Sequence, residues 1–274
     1  KLFIAKNVIS RKFINMKKKT KPKIIIMSGY GLNCEEETKY AFDWAGGSAD
    51  IVHLNDLIAN PNMLRKYDIL AFPGGFAYGD DTGSGKAYAN KFKNHLMKEL
   101  NEFLSRNTLA IGICNGFQIA TNLGILPGGL THNKSGKYLD RWVDLEVKGN
   151  SPWLSSFSGN KKLSIPIAHG EGRYVIPKKD YTIMQKSGQI AFVYEKGEIC
   201  KFQNLEKNPN GSDYDIAGVL SYNGRVLGLM PHPERGMFSH QNPMWYLNKK
   251  ELKASTIGLR PREGAGLKIF KNAI

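Results

Sequence analysis

One short segment combines a nucleophile-capable side chain with the local shape that nucleophilic catalysis needs. Gly112-Ile113-Cys114-Asn115-Gly116 joins an apolar run, residues 109–113, to a helix-like stretch, residues 115–123. Small residues two places before and two places after the cysteine permit a sharp strand-to-helix turn, the elbow that lifts a nucleophile clear of a sheet. The start of the following helix offers free backbone N–H groups and a positive dipole end. Both favour a thiolate and a developing oxyanion. The plainer reading is a buried structural cysteine, a common fate for this residue. The strand–Cys–helix context favours the nucleophile. Cys34 and Cys200 lack that context and are expected to be structural.

A cysteine nucleophile needs a base. The candidates are His53, His95, His132, His169, His232 and His240. His232 stands apart because it follows an apolar run in Leu229-Met230-Pro231-His232-Pro233-Glu234-Arg235. The flanking prolines are expected to keep the backbone extended. Residues two apart on an extended segment point the same way. Glu234 would then accept from the imidazole and orient it, completing a Cys114–His232–Glu234 arrangement. A Pro-rich surface turn with incidental charges is the alternative. An oxyanion hole is supplied by Pro73-Gly74-Gly75-Phe76, where glycine lets a backbone N–H approach a ligand unobstructed. Gly75 N–H and Asn115 N–H are the expected donors. A simple tight turn would explain the glycines equally well, but not their position beside the elbow.

The surrounding pattern has to place these pieces together. Strands are predicted over residues 23–28, 50–54, 67–72 and 109–113, with helices over 34–45, 87–105 and 115–123 between or after them. Such alternation implies parallel strands joined by right-handed crossovers. The fold class is therefore α/β: an open, mostly parallel, doubly wound sheet with helices on both faces. Function in such sheets collects beyond the carboxyl ends of the strands, where residues 73–79 and the turn at Cys114 both fall. Further short strands at 142–147, 163–168, 190–194, 217–222 and 225–230 are expected as additional, antiparallel members. Asn223-Gly224 marks a hairpin between the last two. The stretches 149–160 and 203–212 are expected to be surface excursions.

Together the motifs resemble the class I (triad) glutamine amidotransferases. GICNGFQ (112–118), FPGGFAYGDD (72–81) and MPHPER (230–235) carry the likeness. SGYGLNC (28–34), RWV (141–143), IAHGEGRY (167–174) and GLKIFKN (266–272) support it. Within the family, CNGFQ and GGFAYGDD look like the branch that serves an ATP-dependent C–N ligase of purine biosynthesis. The resemblance implies that Cys114, His232 and Glu234 release ammonia from glutamine through a thioester. It also implies glutamine contacts at Gly74, Phe76, Gln118, His169, Gly170 and Glu171. The implied partners are a large synthase subunit, which would hold ATP and Mg, and a small bridging subunit. No cofactor or metal is expected in this chain.

Bulk properties agree. The chain has 274 residues, 41% hydrophobic and 23% charged, ordinary values for a globular protein. No apolar run is long enough to cross a bilayer. The formal charge of +15 would suggest nucleic acid, but nine Lys and Arg and no acid lie in residues 1–23, leaving +6 on the other 251. Residues 1–22 are read as a basic, disordered arm, with a start-site artefact before Met16 or a transit segment as alternatives; residues 23–274 form the domain. Three cysteines without CxxC or Cys/His spacing predict neither zinc nor disulfides and fit a reducing cytoplasm. Gly83-Ser84-Gly85-Lys86 lacks Walker A spacing and reads as a loop and helix start. Rival readings are a hydrolase or peptidase of related fold, a docking subunit without catalysis, and nucleic-acid binding through the arm. The first typically places a histidine directly after its cysteine, where this chain has Asn115.

Overall fold

The computed structural model describes residues 21–80, 83–157, 162–247 and 262–274. The expected basic arm, apart from its last two positions, lies outside the described residues.

The first half alternates as the sequence predicts: β1 (Lys23–Ser28), α1 (Glu35–Ala45), β2 (Ser48–His53), α2 (Leu54–Ala59), β3 (Ile69–Phe72), α3 (Lys86–Ser105), β4 (Leu109–Ile113) and α4 (Asn115–Leu123). Ile24, Ile25, Ile26 and Met27 are all fully buried, the continuous apolar run of a strand covered on both faces. The second half adds β5 (Gly129–Thr131), β6 (Leu139–Val147), β7 (Lys162–His169), β8 (Arg173–Val175), α5 (Lys178–Lys186), β9 (Ile190–Glu195), α6 (Glu198–Phe202), β10 (Ile216–Ser221), β11 (Val226–Leu229) and α7 (Ala265–Ala273).

Nine strands form one sheet in the order β2-β1-β3-β4-β11-β10-β9-β6-β7. From β2 to β11 neighbours are parallel; from β11 to β7 they are antiparallel. β5 and β8 make a separate antiparallel pair. The chain steps outward from β1 to β2, then back across β1 to β3. With right-handed crossovers that reversal puts α1 on one face and α2 and α3 on the other. Buried Phe42 of α1 meets Phe270 of α7 edge to face, ring centroids 4.9 Å apart.

Register does the positioning. In the parallel pair β4–β11, Gly112 lies beside Gly228 and Ile113 beside Leu229. Cys114 and the segment carrying His232, 118 residues apart in sequence, therefore leave the same end of adjacent strands.

Three details depart from expectation. The 149–160 and 203–212 stretches are not mere surface excursions. Trp153 and Asn210 are fully buried; Trp153 Nε1 donates to Arg225 O at 3.0 Å, and Asn210 Nδ2 donates to Gly172 O at 2.8 Å. Their Pro, Gly and Asn content describes backbone shape and says nothing of burial. Helix α5 is absent from the sequence reading because it buries only Met184 and so lacks an apolar stripe. The hairpin at Asn223-Gly224 is present, but Ser221 pairs with Val226 and Tyr222, Asn223 and Gly224 all take positive φ (49°, 55° and 81°), a longer turn than the dipeptide alone implies.

The elbow rests on missing side chains. A Cβ on Gly116 would stand 1.8 Å from Phe72 O, and one on Gly112 2.6 Å from Gly116 O. Gly116→Ala is expected to cost about 3 kcal/mol or more, since backbone cannot yield as a side-chain tip can; thermal unfolding of the variant checks this, and an unchanged midpoint contradicts it.

Candidate active site

Cys114 sits where β4 gives way to α4, with φ 50° and ψ −107°. A non-glycine residue held at positive φ is strained, and the strain is the elbow itself. Cys114 N donates to Leu229 O at 2.9 Å, which ties the turn to β11. The thiol is 5% exposed and lies 3.6 Å from Ala168 O at the end of β7. Two residues earlier on that strand, Pro166 O accepts from His232 N at 2.8 Å. One strand end thus holds both the cysteine and the histidine.

His232 Nδ1 stands 2.5 Å from Glu234 Oε1, and both side chains are shut from solvent. The route differs from the extended segment expected. Pro233–Arg235 forms a single 3-10 turn, and Pro233 sets its φ at the first position. The turn brings the carboxylate back under the ring. Burial by itself lowers the affinity of His232 for a proton. The Glu234 carboxylate and the Cys114 sulfur outweigh it and hold the imidazole well above its usual range. The arrangement favours the imidazolium form of His232.

The Gly74-Gly75 segment closes over this pair. Gly75 has φ 154°, and a Cβ there would fall 2.6 Å from Leu32 Cα and 2.7 Å from Asn33 N. Phe76 N is committed to Gly31 O at 2.9 Å. Among the described residues the Gly75 and Asn115 amides have no hydrogen-bond acceptor. Gly74 lies against the His232 ring, where a Cβ would be 2.7 Å from Cε1.

Side-chain amides of the expected site residues fasten these loops. Asn115 Oδ1 accepts from Ala77 N at 3.0 Å, and its Nδ2 donates to Gln118 Oε1 at 2.7 Å. Gln118 Nε2 in turn donates to Glu171 O at 2.6 Å. One chain of amides therefore links the glycine loop, the elbow helix and the 169–173 segment. The expected pocket residues gather here: Gln118 and His169 are buried, whereas Phe76 is exposed, its ring 6.1 Å from that of Tyr138. Gly170 O is held by Asn133 N at 2.9 Å. Glu171 approaches His132 at 3.6 Å.

Cys34, expected from sequence to be structural, is buried beside the His–Glu pair. Its Sγ, one imidazole nitrogen of His232 and one carboxylate oxygen of Glu234 all lie within 4.8 Å of one another, so a Cys/His cluster exists in space that sequence spacing does not reveal. Arg235 Nη2 donates to this sulfur at 3.0 Å. The signal available in sequence was the Gly-rich turn before Cys34, which ends a parallel strand just as the other two motifs do. Cys200 is buried away from this cluster, its N–H bonded to Asp144 Oδ2 at 2.9 Å.

A strained cysteine elbow and a buried His–Glu pair thus meet beyond the carboxyl ends of a doubly wound sheet. The chain belongs to the CobB/CobQ-like glutamine amidotransferase domain family, whose model matches residues 21–274. Among relatives, phosphoribosylformylglycinamidine synthase subunit PurQ of Methanococcus maripaludis is 45% identical over 92% of this chain and 97% of its own. The protein of the same name from Aquifex aeolicus is 38% identical over 79% of this chain and 94% of its own. A solved structure of PurLQS from Thermotoga maritima contains a chain with 32% identity and a TM-score of 0.69, covering 93% of this chain and 98% of that one.

The second buried histidine makes a pH prediction. Asn133 Nδ2 donates to Lys137 O and His169 O, both at 2.8 Å, which turns its Oδ1 toward Gly172 N and His169 Nδ1, both at 3.0 Å. Nδ1 therefore carries the proton, and Nε2 is left as a buried acceptor without a partner among the described residues. Burial, helped by the charge of His232, lowers the His169 pKa from 6.5 to about 3. The unfolded chain binds this proton first, so stability is full above pH 6.5 and falls as pH drops toward 3. The loss reaches about 5 kcal/mol at the acid end by linkage. Urea unfolding at stepped pH should show that slope, flattened in His169→Gln; an equal slope in the variant contradicts it.

Proposed function

We propose that this chain is the glutaminase subunit of phosphoribosylformylglycinamidine synthase and that Cys114, His232 and Glu234 are its catalytic residues. The observation that carries the reading is the elbow: Cys114 at φ 50°, at the start of a helix and beside a buried His–Glu pair.

In this mechanism the side-chain amide of glutamine lies over Cys114. The thiolate attacks the amide carbon, and the carbonyl oxygen becomes an anion that Gly75 N–H and Asn115 N–H hold. Such a donor lowers the barrier by about 3–4 kcal/mol. His232, kept protonated by Glu234, gives its proton to the departing nitrogen. Ammonia leaves and a γ-glutamyl thioester remains. Neutral His232 then takes a proton from water, the hydroxide attacks the thioester, and glutamate and the thiolate are released. Gln118, His169, Gly170, Glu171, Gly74 and Phe76 surround the substrate in this proposal.

Ammonia passes to a large synthase subunit, with a small bridging subunit in the complex, for the ATP-dependent amidation of purine biosynthesis. ATP and Mg are assigned to that partner and no cofactor to this chain. The names carried by the relatives, a synthase subunit and a PurLQS structure, support a multi-subunit synthase. Among the described residues no helix is long and apolar enough to cross a membrane; we assign the chain to the cytoplasm, where three free, buried cysteines are at home.

In the reconstituted complex, Cys114→Ala should abolish glutamine-dependent synthesis by about a thousandfold or more while leaving synthesis from ammonium salts unchanged. Loss of both activities would mean a failure of assembly. Retention of both would reject Cys114 as nucleophile and favour a docking subunit.

A further inference from the structure

Cys34 and the buried His232–Glu234 pair together are built like a metal site. Cys34 is 1% exposed and His232 and Glu234 are each 2% exposed. Their donor atoms lie within 4.8 Å of one another. His232 Nε2 and Glu234 Oε2 are buried without a hydrogen-bond partner among the described residues. Gly74 keeps the space between Cys34 and His232 open: a Cβ there would be 3.2 Å from Cys34 Sγ and 2.7 Å from His232 Cε1.

We propose that Cys34, His232 and Glu234 form a binding site for a thiophilic divalent cation, zinc above all, and that the bound ion switches the catalytic pair off. One sulfur, one imidazole nitrogen and one carboxylate oxygen, with a fourth position left to water, are a zinc donor set; magnesium and calcium take oxygen alone. Bonds of about 2.0–2.3 Å place tetrahedral donors roughly 3.5 Å apart, so the trio closes by about 1 Å to grip the ion. The Cys34 proton and one imidazolium proton of His232 leave to solvent as the ion binds, and the ion replaces the 2.5 Å contact between His232 Nδ1 and Glu234 Oε1. Arg235, which donates to this sulfur at 3.0 Å, keeps a second partner in Glu37 Oε1 at 3.7 Å and turns to it. An imidazole holding a cation neither gives nor takes a proton, so the loaded chain is inactive whichever substrate the site serves. The proposal does not rest on the glutaminase reading.

The test uses the full, metal-free chain. Zinc is titrated against a chromophoric chelator, and cobalt(II) is added as an optical probe for thiolate-to-metal charge transfer. The expected result is one ion per chain, with the charge-transfer band present in the wild type and in Cys114→Ala and absent in Cys34→Ser. Cys34→Ser should weaken zinc at least about tenfold. Glu234→Gln, nearly unchanged in shape, should do the same and serves if Cys34→Ser fails to fold. Absence of stoichiometric binding overturns the proposal. So does a band that survives Cys34→Ser or vanishes in Cys114→Ala, which would place the ion on the nucleophile, and so does unaltered affinity in Glu234→Gln.

Discussion

The contact on which the rest depends is the seating of α4 against the ends of β3 and β4. At Gly116 the helix backbone approaches the Phe72 carbonyl so closely that no side chain fits between them. That approach forces Cys114 into positive φ, and the strained turn aims its sulfur toward the ends of β7 and β11. It also brings Asn115 within reach of Ala77, so the residue next to Cys114 fixes the loop that carries Gly74 and Gly75. A strained residue persists only where surrounding structure over-determines it. Here two strand ends, a glycine loop and a helix start share the task.

Electrostatics is the second layer. Burying His232 and Glu234 together is costly, because each loses its hydration. Their 2.5 Å contact offsets part of that cost, and the pair holds the imidazole protonated beside sulfur. His169 is treated in the opposite way. It is buried without a counter-ion, its Nδ1 facing a neutral amide, and it stays uncharged. Two histidines in neighbouring loops thus hold different protonation states because one has a carboxylate and the other has Asn133.

Much of this was legible in the sequence because parallel strands announce themselves. The mainly apolar runs at 23–28, 67–72 and 109–113, each followed by small residues, located three strand ends, and the spacing of small residues around Cys114 announced the strand-to-helix turn. The Cys–His pairing was legible only as a motif, because its physical cause is the register of β4 against β11, which no local pattern encodes. The reason offered for Glu234 was wrong in detail: a 3-10 turn, and not an extended segment, brings it to His232. The nearness of Cys34 to His232 and Glu234 was not legible, because a lone cysteine after a glycine turn carries no periodic signal. Asn133 and Asn210 were missed for a similar reason. Buried amides that brace loops look, in sequence, like the polar residues of any surface turn.

The central claim is that Cys114 attacks the amide carbon of glutamine. Its most direct test is mass spectrometry of the chain after exposure to 6-diazo-5-oxo-norleucine, a glutamine-like alkylating reagent, with and without the synthase subunit. The account predicts a single adduct on the peptide containing Cys114, prevented by excess glutamine and absent from the Cys34 and Cys200 peptides. An adduct on Cys34, or none at all in the assembled complex, would contradict it.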